Sequence, residues 1–181
     1  ASQAPRAVGR ALADAFKPRR RRERRVEYVS VGDGSVNNAH FLSAVNFAEY
    51  VSHRGAAMPV VFGVADNDAS ISLAGHGWLP KFIEQRLGGC EVFRCAGTDG
   101  ADVFRAASEA FAYARSEQRP AVLVFEKLPR RFGHAATDRQ DAYLSSIEIE
   151  GRRARDPLAG FIGDAVERGV LDAATVAARN D

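Results

Sequence analysis

The chain is short of several things, and each shortage removes a class of protein. Its 181 residues hold two cysteines, Cys90 and Cys95. They have neither a CxxC spacing nor the partners for a disulfide framework, which excludes a stapled secreted scaffold. Both are expected to be reduced, with Cys95 on a buried strand. No stretch approaches the roughly 18 to 20 consecutive apolar residues of a membrane span. The opening ASQAPRAVGR also lacks the basic and then apolar plan of a secretory leader, so the expected setting is intracellular with no membrane partner. The phosphate loops GxGxxG and GxxxxGK[ST] are missing, as is the GxSxG nucleophile elbow. The four histidines and two cysteines have no zinc-ligand spacing. A formal net charge of +2 hides one asymmetric run, KPRRRRERR at residues 17–25. Without a second basic stripe or interleaved aromatics it gives no case for nucleic acid, and it reads as a solvated connector or, at most, a docking patch.

What remains is a globular composition, 46% hydrophobic and 27% charged, of a length suited to one well-filled domain. Apolar positions Val8, Ala11, Leu12 and Phe16 recur at helical spacing in residues 4–16, and residues 26–31 form a β-rich run. A helix is predicted over residues 38–52, where Phe41, Ala44, Val45 and Ala48 share a face. The nearly continuous apolar run PVVFGVA, residues 59–65, predicts a strand buried on both sides. A helix near 78–87, a strand at 91–95, a helix at 100–116 and the strand AVLVFE at 121–126 continue the alternation. Such alternation predicts an α/β fold, a mostly parallel sheet with helices on both faces. An arginine-rich loop follows residue 126, and a charged helical tail runs from about residue 145 to the end. The expected division is therefore residues 1–144 and 145–181.

In parallel α/β sheets, ligands sit outside the carboxyl ends of the strands. Gly32, Asp33 and Gly34 stand just past the first predicted strand, and Asp66, Asn67 and Asp68 just past the second. If those strands are neighbours, two sets of oxygen donors face one crevice. Carboxylate, amide and carbonyl oxygens, completed by phosphate, suit the small, hard Mg²⁺ ion. Glycines flanking Asp33 let the backbone come close to a diphosphate, and the following helix turns its positive end the same way. GDG alone is a weak signal, since many such triplets are ordinary turns. The second donor cluster is what strengthens it.

The run GDGSVNNAHFLSAVNFAEY and, after it, MPVVFGVADNDASIS resemble the cofactor motif of the 2-oxo acid dehydrogenases. The likeness is to the alpha subunit, or alpha half of a fused chain, of their decarboxylating first component. It continues through GTDGADVFRAASEAFAYARSEQRPAVLVFE, the loop RRFGHAATD and the tail RDPLAGFIGDAVERGVLDAATV, and so spans nearly the whole chain. It implies a thiamine-diphosphate-binding fold, here a partial domain. By resemblance, Asp33, Asn67 and the Ala69 carbonyl bind Mg²⁺, and Gly32, Gly34, Ser35, Ser70 and Ile71 join them in holding thiamine diphosphate. His134 becomes the active-site histidine that holds or protonates the 2-oxo acid, suited by its titration near neutral pH. Arg130 becomes a loop arginine ordering its surroundings through ion pairs. Asn37 and Asn38 either border the cofactor or cap a helix, and His76 and Trp78 pack a loop.

Two departures qualify the resemblance. Ala135 stands where some members carry a serine that a kinase phosphorylates. VSHRGAAMP is a longer connection than is common and, with GHGW, resembles fused alpha/beta versions. The upstream residues that grip the diphosphate and the beta half that activates the cofactor are not in this sequence, so it is expected to be a piece of a larger enzyme. The implied partners are that beta subunit or half, a lipoyl-bearing transacylase and the 2-oxo acid, in a hetero- or homo-oligomer of bacterial cytoplasm or mitochondrial matrix. Branched-chain 2-oxo acids come ahead of pyruvate as substrate. The alternatives are an acetoin-cleaving relative and a non-catalytic assembly subunit.

Overall fold

The computed structural model describes residues 1–17, 25–71 and 73–178. Four strands, β1 (Glu27–Gly32), β2 (Val60–Ala65), β3 (Glu91–Ala96) and β4 (Ala121–Glu126), form one sheet in the order β1-β2-β4-β3. All its pairings are parallel. Helices α1 (Gln3–Ala15), α2 (Ala39–His53), α3 (Trp78–Arg86) and α4 (Gly100–Glu117) alternate with the strands, as the periodicity predicts. Val60, Phe62 and Val64 of β2 point into a core shared with α1, α2 and α3. Val61 points into a second core formed by Leu123, Cys95 and the Ala106, Ala110 and Ala114 stripe of α4. The unbroken apolar run of β2 thus has its reason, for both faces of that strand are covered. Gly63 interrupts the run because a Cβ there would lie 2.3 Å from the Tyr28 hydroxyl. The Tyr28 ring crosses β2 at that point and meets Phe111 at 5.8 Å.

Cys90 and Cys95 are free and buried, and burial pushes both thiols above their usual range. Where the sequence predicts one charged tail, the structure has three short helices: α5 (Ser146–Ala154), α6 (Pro157–Glu167) and α7 (Ala173–Ala178). Asp156 caps α6 through the Leu158 and Ala159 amides, and Pro157 occupies the first turn, where its missing N–H costs nothing. Gly169, at φ 68°, takes the left-handed residue that lets the chain leave α6. Among the described residues no helix is long and apolar enough to cross a membrane. The arginine run lies outside the described residues but for its ends, Lys17 and Arg25, and so does Ser72.

Candidate functional site

β1 and β2 are neighbours in matched register, with Gly32 opposite Ala65. Asp33 and Asp66 therefore each emerge one residue beyond a paired strand end. The chain after β1 does not run straight into a helix. Asp33–Asn37 forms a short 3₁₀ turn, and Asn38 then caps α2 by accepting the His40 amide at 3.0 Å, the capping role. Asn37 accepts the Trp78 indole N–H at 2.9 Å, tying this turn to the start of α3.

Among the described residues Asp33 is the charged side chain that the fold buries, at 6% exposure. Its Oδ1 accepts the Gly34 amide at 2.8 Å and its Oδ2 accepts the Ser70 amide at 3.0 Å, so one carboxylate staples the two strand-end loops together. Gly34 favours that closure, because a Cβ there would stand 3.2 Å from the Ser70 Cα and press the second loop back by a few tenths of an ångström. A Cβ at Gly32 would meet nothing within 4 Å. The two glycines expected to admit a diphosphate thus differ: the space at 34 is taken by the second loop, and the space at 32 is open.

The second loop is built from consecutive side-chain turns. Asp66 accepts the Asp68 amide at 3.1 Å and Asn67 accepts the Ala69 amide at 2.9 Å. The buried Ala69 gives its carbonyl to the Ala74 amide at 3.1 Å. Asp68, Ser70 and Ile71 all have positive φ, 50°, 40° and 72°. For a β-branched residue such as Ile71 that conformation costs on the order of 1–3 kcal/mol, and such strain persists where surrounding contacts enforce it. Burial raises the Asp66 carboxyl pKa, the Asp68 amide opposes this, and the nearby negative charges of Asp33, Asp68 and Glu126 add to the rise. Negative charge is therefore concentrated at these strand ends.

A third segment, residues 127–145, closes over the second. The Arg130 guanidinium donates to the Ile71 carbonyl and to the Tyr143 hydroxyl. It also lies 3.5 Å from Asp138, with both side chains largely buried. Asp138 in turn accepts the His134 amide at 2.5 Å and the Tyr143 hydroxyl at 3.1 Å. Led by the His134 amide, these bonds hold the Asp138 carboxyl below its usual range. A Cβ at Gly133 would sit 2.4 Å from the Asp138 carbonyl, so the turn before His134 needs glycine. One chain of contacts therefore runs from Asp33 through Ser70, Ile71, Arg130 and Asp138 to the His134 backbone. The His134 imidazole is exposed at its end.

The predicted residues thus fall into two groups. Gly32, Asp33, Gly34, Ser35, Asn67, Ala69, Ser70 and Ile71 lie on the two adjoining strand-end loops, whereas His134 reaches them only through Arg130 and Asp138. Sequence reasoning missed Asp138 and Tyr143 as anchors. Their only local signal is a carboxylate four residues beyond a histidine in an arginine-rich loop.

The donors match Mg²⁺ in kind. Among the described residues no group of three or more His, Cys, Asp or Glu side chains is placed to hold a metal. An ion here would rest on one carboxylate, one amide and one carbonyl, with phosphate and water completing its shell. Asp33 fits that role because it is buried, held by two amides and, among the described residues, paired with no cation.

A parallel sheet with two oxygen-rich loops at neighbouring strand ends defines an α/β domain whose ligand face is the carboxyl edge. Residues 1–180 match the family described as dehydrogenase E1 component. Over 184 residues the chain is 28% identical to the 2-oxoisovalerate dehydrogenase subunit alpha of Bacillus subtilis (strain 168), covering 94% of this chain and 52% of that protein. Over 144 residues it is 33% identical to the pyruvate dehydrogenase E1 component subunit alpha of Porphyra purpurea, covering 75% of this chain and 38% of that protein. The chain spans about half or less of the length of these relatives. It belongs to the dehydrogenase E1 component family.

Proposed function

We propose that this chain is the alpha part of a thiamine-diphosphate-dependent enzyme that decarboxylates a 2-oxo acid and passes the acyl group to a lipoyl-bearing transacylase. The observation that carries the reading is the buried Asp33 carboxylate bridging two strand-end loops, with no cation paired to it among the described residues. Asp33, Asn67 and the Ala69 carbonyl would hold Mg²⁺, and Gly32, Gly34, Ser35, Ser70 and Ile71 would border the diphosphate. Bound thiamine diphosphate supplies the carbanion and the electron sink of the reaction. Around it the protein contributes position and charge. The contact chain from Ile71 through Arg130 and Asp138 sets the backbone at His134, so that its imidazole can hold the substrate or move a proton. A branched-chain 2-oxo acid is favoured over pyruvate, supported by the alignment to the 2-oxoisovalerate relative along 94% of the chain. A beta subunit or half completes the site, and the exposed Ile147, Leu158 and Val170 are consistent with surface that a partner covers.

Calorimetry on the full-length protein with its beta partner tests this. Asp33→Asn loses the charge and keeps a carbonyl acceptor for only one of the two loop amides, and is expected to abolish Mg²⁺-dependent affinity for thiamine diphosphate. His134→Ala is expected to keep that affinity and to lower substrate-dependent CO₂ release by about tenfold or more. Unchanged cofactor affinity in Asp33→Asn would sink the metal assignment, and a full-rate His134→Ala would remove the role given to the imidazole.

A further inference from the structure

The carboxyl edge holds a second feature, which shares Asn67 with the proposed Mg²⁺ site and none of that site's other residues. A cleft of about 280 Å³ opens between the second loop, the start of the 127–145 segment and α5. Asp66, Asn67 and Asp68 line one side; Lys127, Leu128, Pro129, Arg130, Arg152 and Arg155 complete it, and Asp33 is not in its wall. The charge of Arg130 is already met by Asp138. Lys127, Arg152 and Arg155 are different, since none of them forms an ion pair with a described residue. Arg152 goes further, with its Nη1 buried and without any hydrogen-bond partner. A guanidinium nitrogen shut away from water with no acceptor is costly and uncommon. Arg152 does feel the Glu148 carboxylate one turn away, and Arg155 donates its Nε to the Gly151 carbonyl, yet three cations from two segments without a close ion pair among the described residues, converging on one concave surface, make an oxyanion site of the kind that arginine and lysine build for phosphate.

The opposite wall narrows the ligand. Asp66 and Asp68 each spend Oδ1 on a backbone amide, at 3.1 and 3.0 Å, which leaves their other oxygens as acceptors. A bare oxyanion would be repelled from that side. A molecule with phosphate at one end and hydroxyl groups at the other satisfies both walls, with its phosphate on Lys127, Arg152 and Arg155 and its hydroxyls donating to the carboxylates. The volume lies at the lower bound of ordinary ligand pockets, so the molecule is small. We propose that this cleft binds a small hydroxylated phosphomonoester.

Glycerol 3-phosphate is the probe, titrated into the full-length protein saturated with Mg²⁺ and thiamine diphosphate so that the diphosphate position is filled. Saturable binding is expected, tighter than that of inorganic phosphate. Arg152→Gln and Lys127→Asn are each expected to weaken it by about tenfold or more. Asparagine is chosen at 127 because it tolerates the left-handed backbone there, φ 57°. Both variants are expected to keep the wild-type affinity for thiamine diphosphate, which separates a failed cleft from a failed fold. The proposal is overturned if the probe does not bind, if it binds both variants as tightly as wild type, or if thiamine diphosphate displaces it.

Discussion

The sheet domain and the three-helix tail are held together by different physics. In the domain, α1 buries Ala4, Ala7, Val8 and Ala11, α2 buries Phe41, Ala44, Val45 and Ala48, and α4 buries Ala106, Ala110 and Ala114 against the strands. Among the described residues α5 and α6 bury none, and Ile147 and Leu158 are exposed. What the tail has instead is polar ends: a capping box at Ser145 and Glu148, the Asp156 cap, and an ion pair from Arg131 to Asp156 at 2.7 Å. Apolar burial is cooperative across a domain, whereas a cap or a surface ion pair acts on one helix. The exposed loop that carries His134 lies between these two regimes, anchored by Arg130, Asp138 and Tyr143 and not by apolar burial.

The largest effect that would test the contrast is at Phe62. The side chain is fully buried, and its ring meets that of Phe41 edge to face at 5.7 Å. Phe62→Ala is expected to cost about 3–5 kcal/mol and to lower the denaturant midpoint of the whole domain without changing the transition slope. A loss under about 1 kcal/mol would mean that the site collapses to fill the gap, and that the core is less tightly specified than its burial implies.

A smaller effect refines the picture by showing a polar link inside the apolar domain. Asp102 Oδ2 accepts the Ala96 amide at 2.8 Å, joining the end of β3 to the first turn of α4. That bond, with the Arg105 guanidinium, holds the Asp102 carboxyl below its ordinary value of 3.8. A carboxyl whose pKa falls on folding adds stability above its unfolded pKa and loses it as pH drops through the folded one. Asp102→Asn is therefore expected to be less stable than wild type at pH 7, with the difference shrinking as pH falls below about 3.8. Chemical unfolding at both pH values reads it, and a gap that stayed constant would assign the effect to packing.

How much of this was legible in the sequence follows the same divide. The strands, the helices of the domain and their two-faced packing follow from local periodicity, because each element announces its own buried face. The placement of Asp33 and Asn67 on adjoining loops was legible because strand ends in a parallel sheet share an edge. The link from Arg130 to Ile71, 59 residues apart, was not, since nothing local records where a loop closes. Nor were the left-handed turns at Ser70 and Ile71, because sequence signals for positive φ rest on glycine, asparagine and aspartate, and these two positions have none of them. The helical character of the tail was legible, its division into three helices less so. Its helical composition is nearly continuous, and only Asp156-Pro157 and Gly169 mark the breaks.

The smallest expected effect bears most directly on the tail. The Ser145 hydroxyl accepts the Glu148 amide at 3.3 Å while the Glu148 carboxylate accepts the Ser145 amide at 2.8 Å, so each satisfies an N–H that the helix start would otherwise leave open. With no buried face to hold α5, that reciprocal pair carries a large share of its stability. Ser145→Ala is expected to cost about 1 kcal/mol. The cost should fall locally: amide exchange in α5 should quicken several-fold while β2 and β4 keep their protection and the denaturant midpoint stays unchanged. If the midpoint moved with α5, the tail would be part of the cooperative core despite its exposure, and the distinction between the two regions would fail.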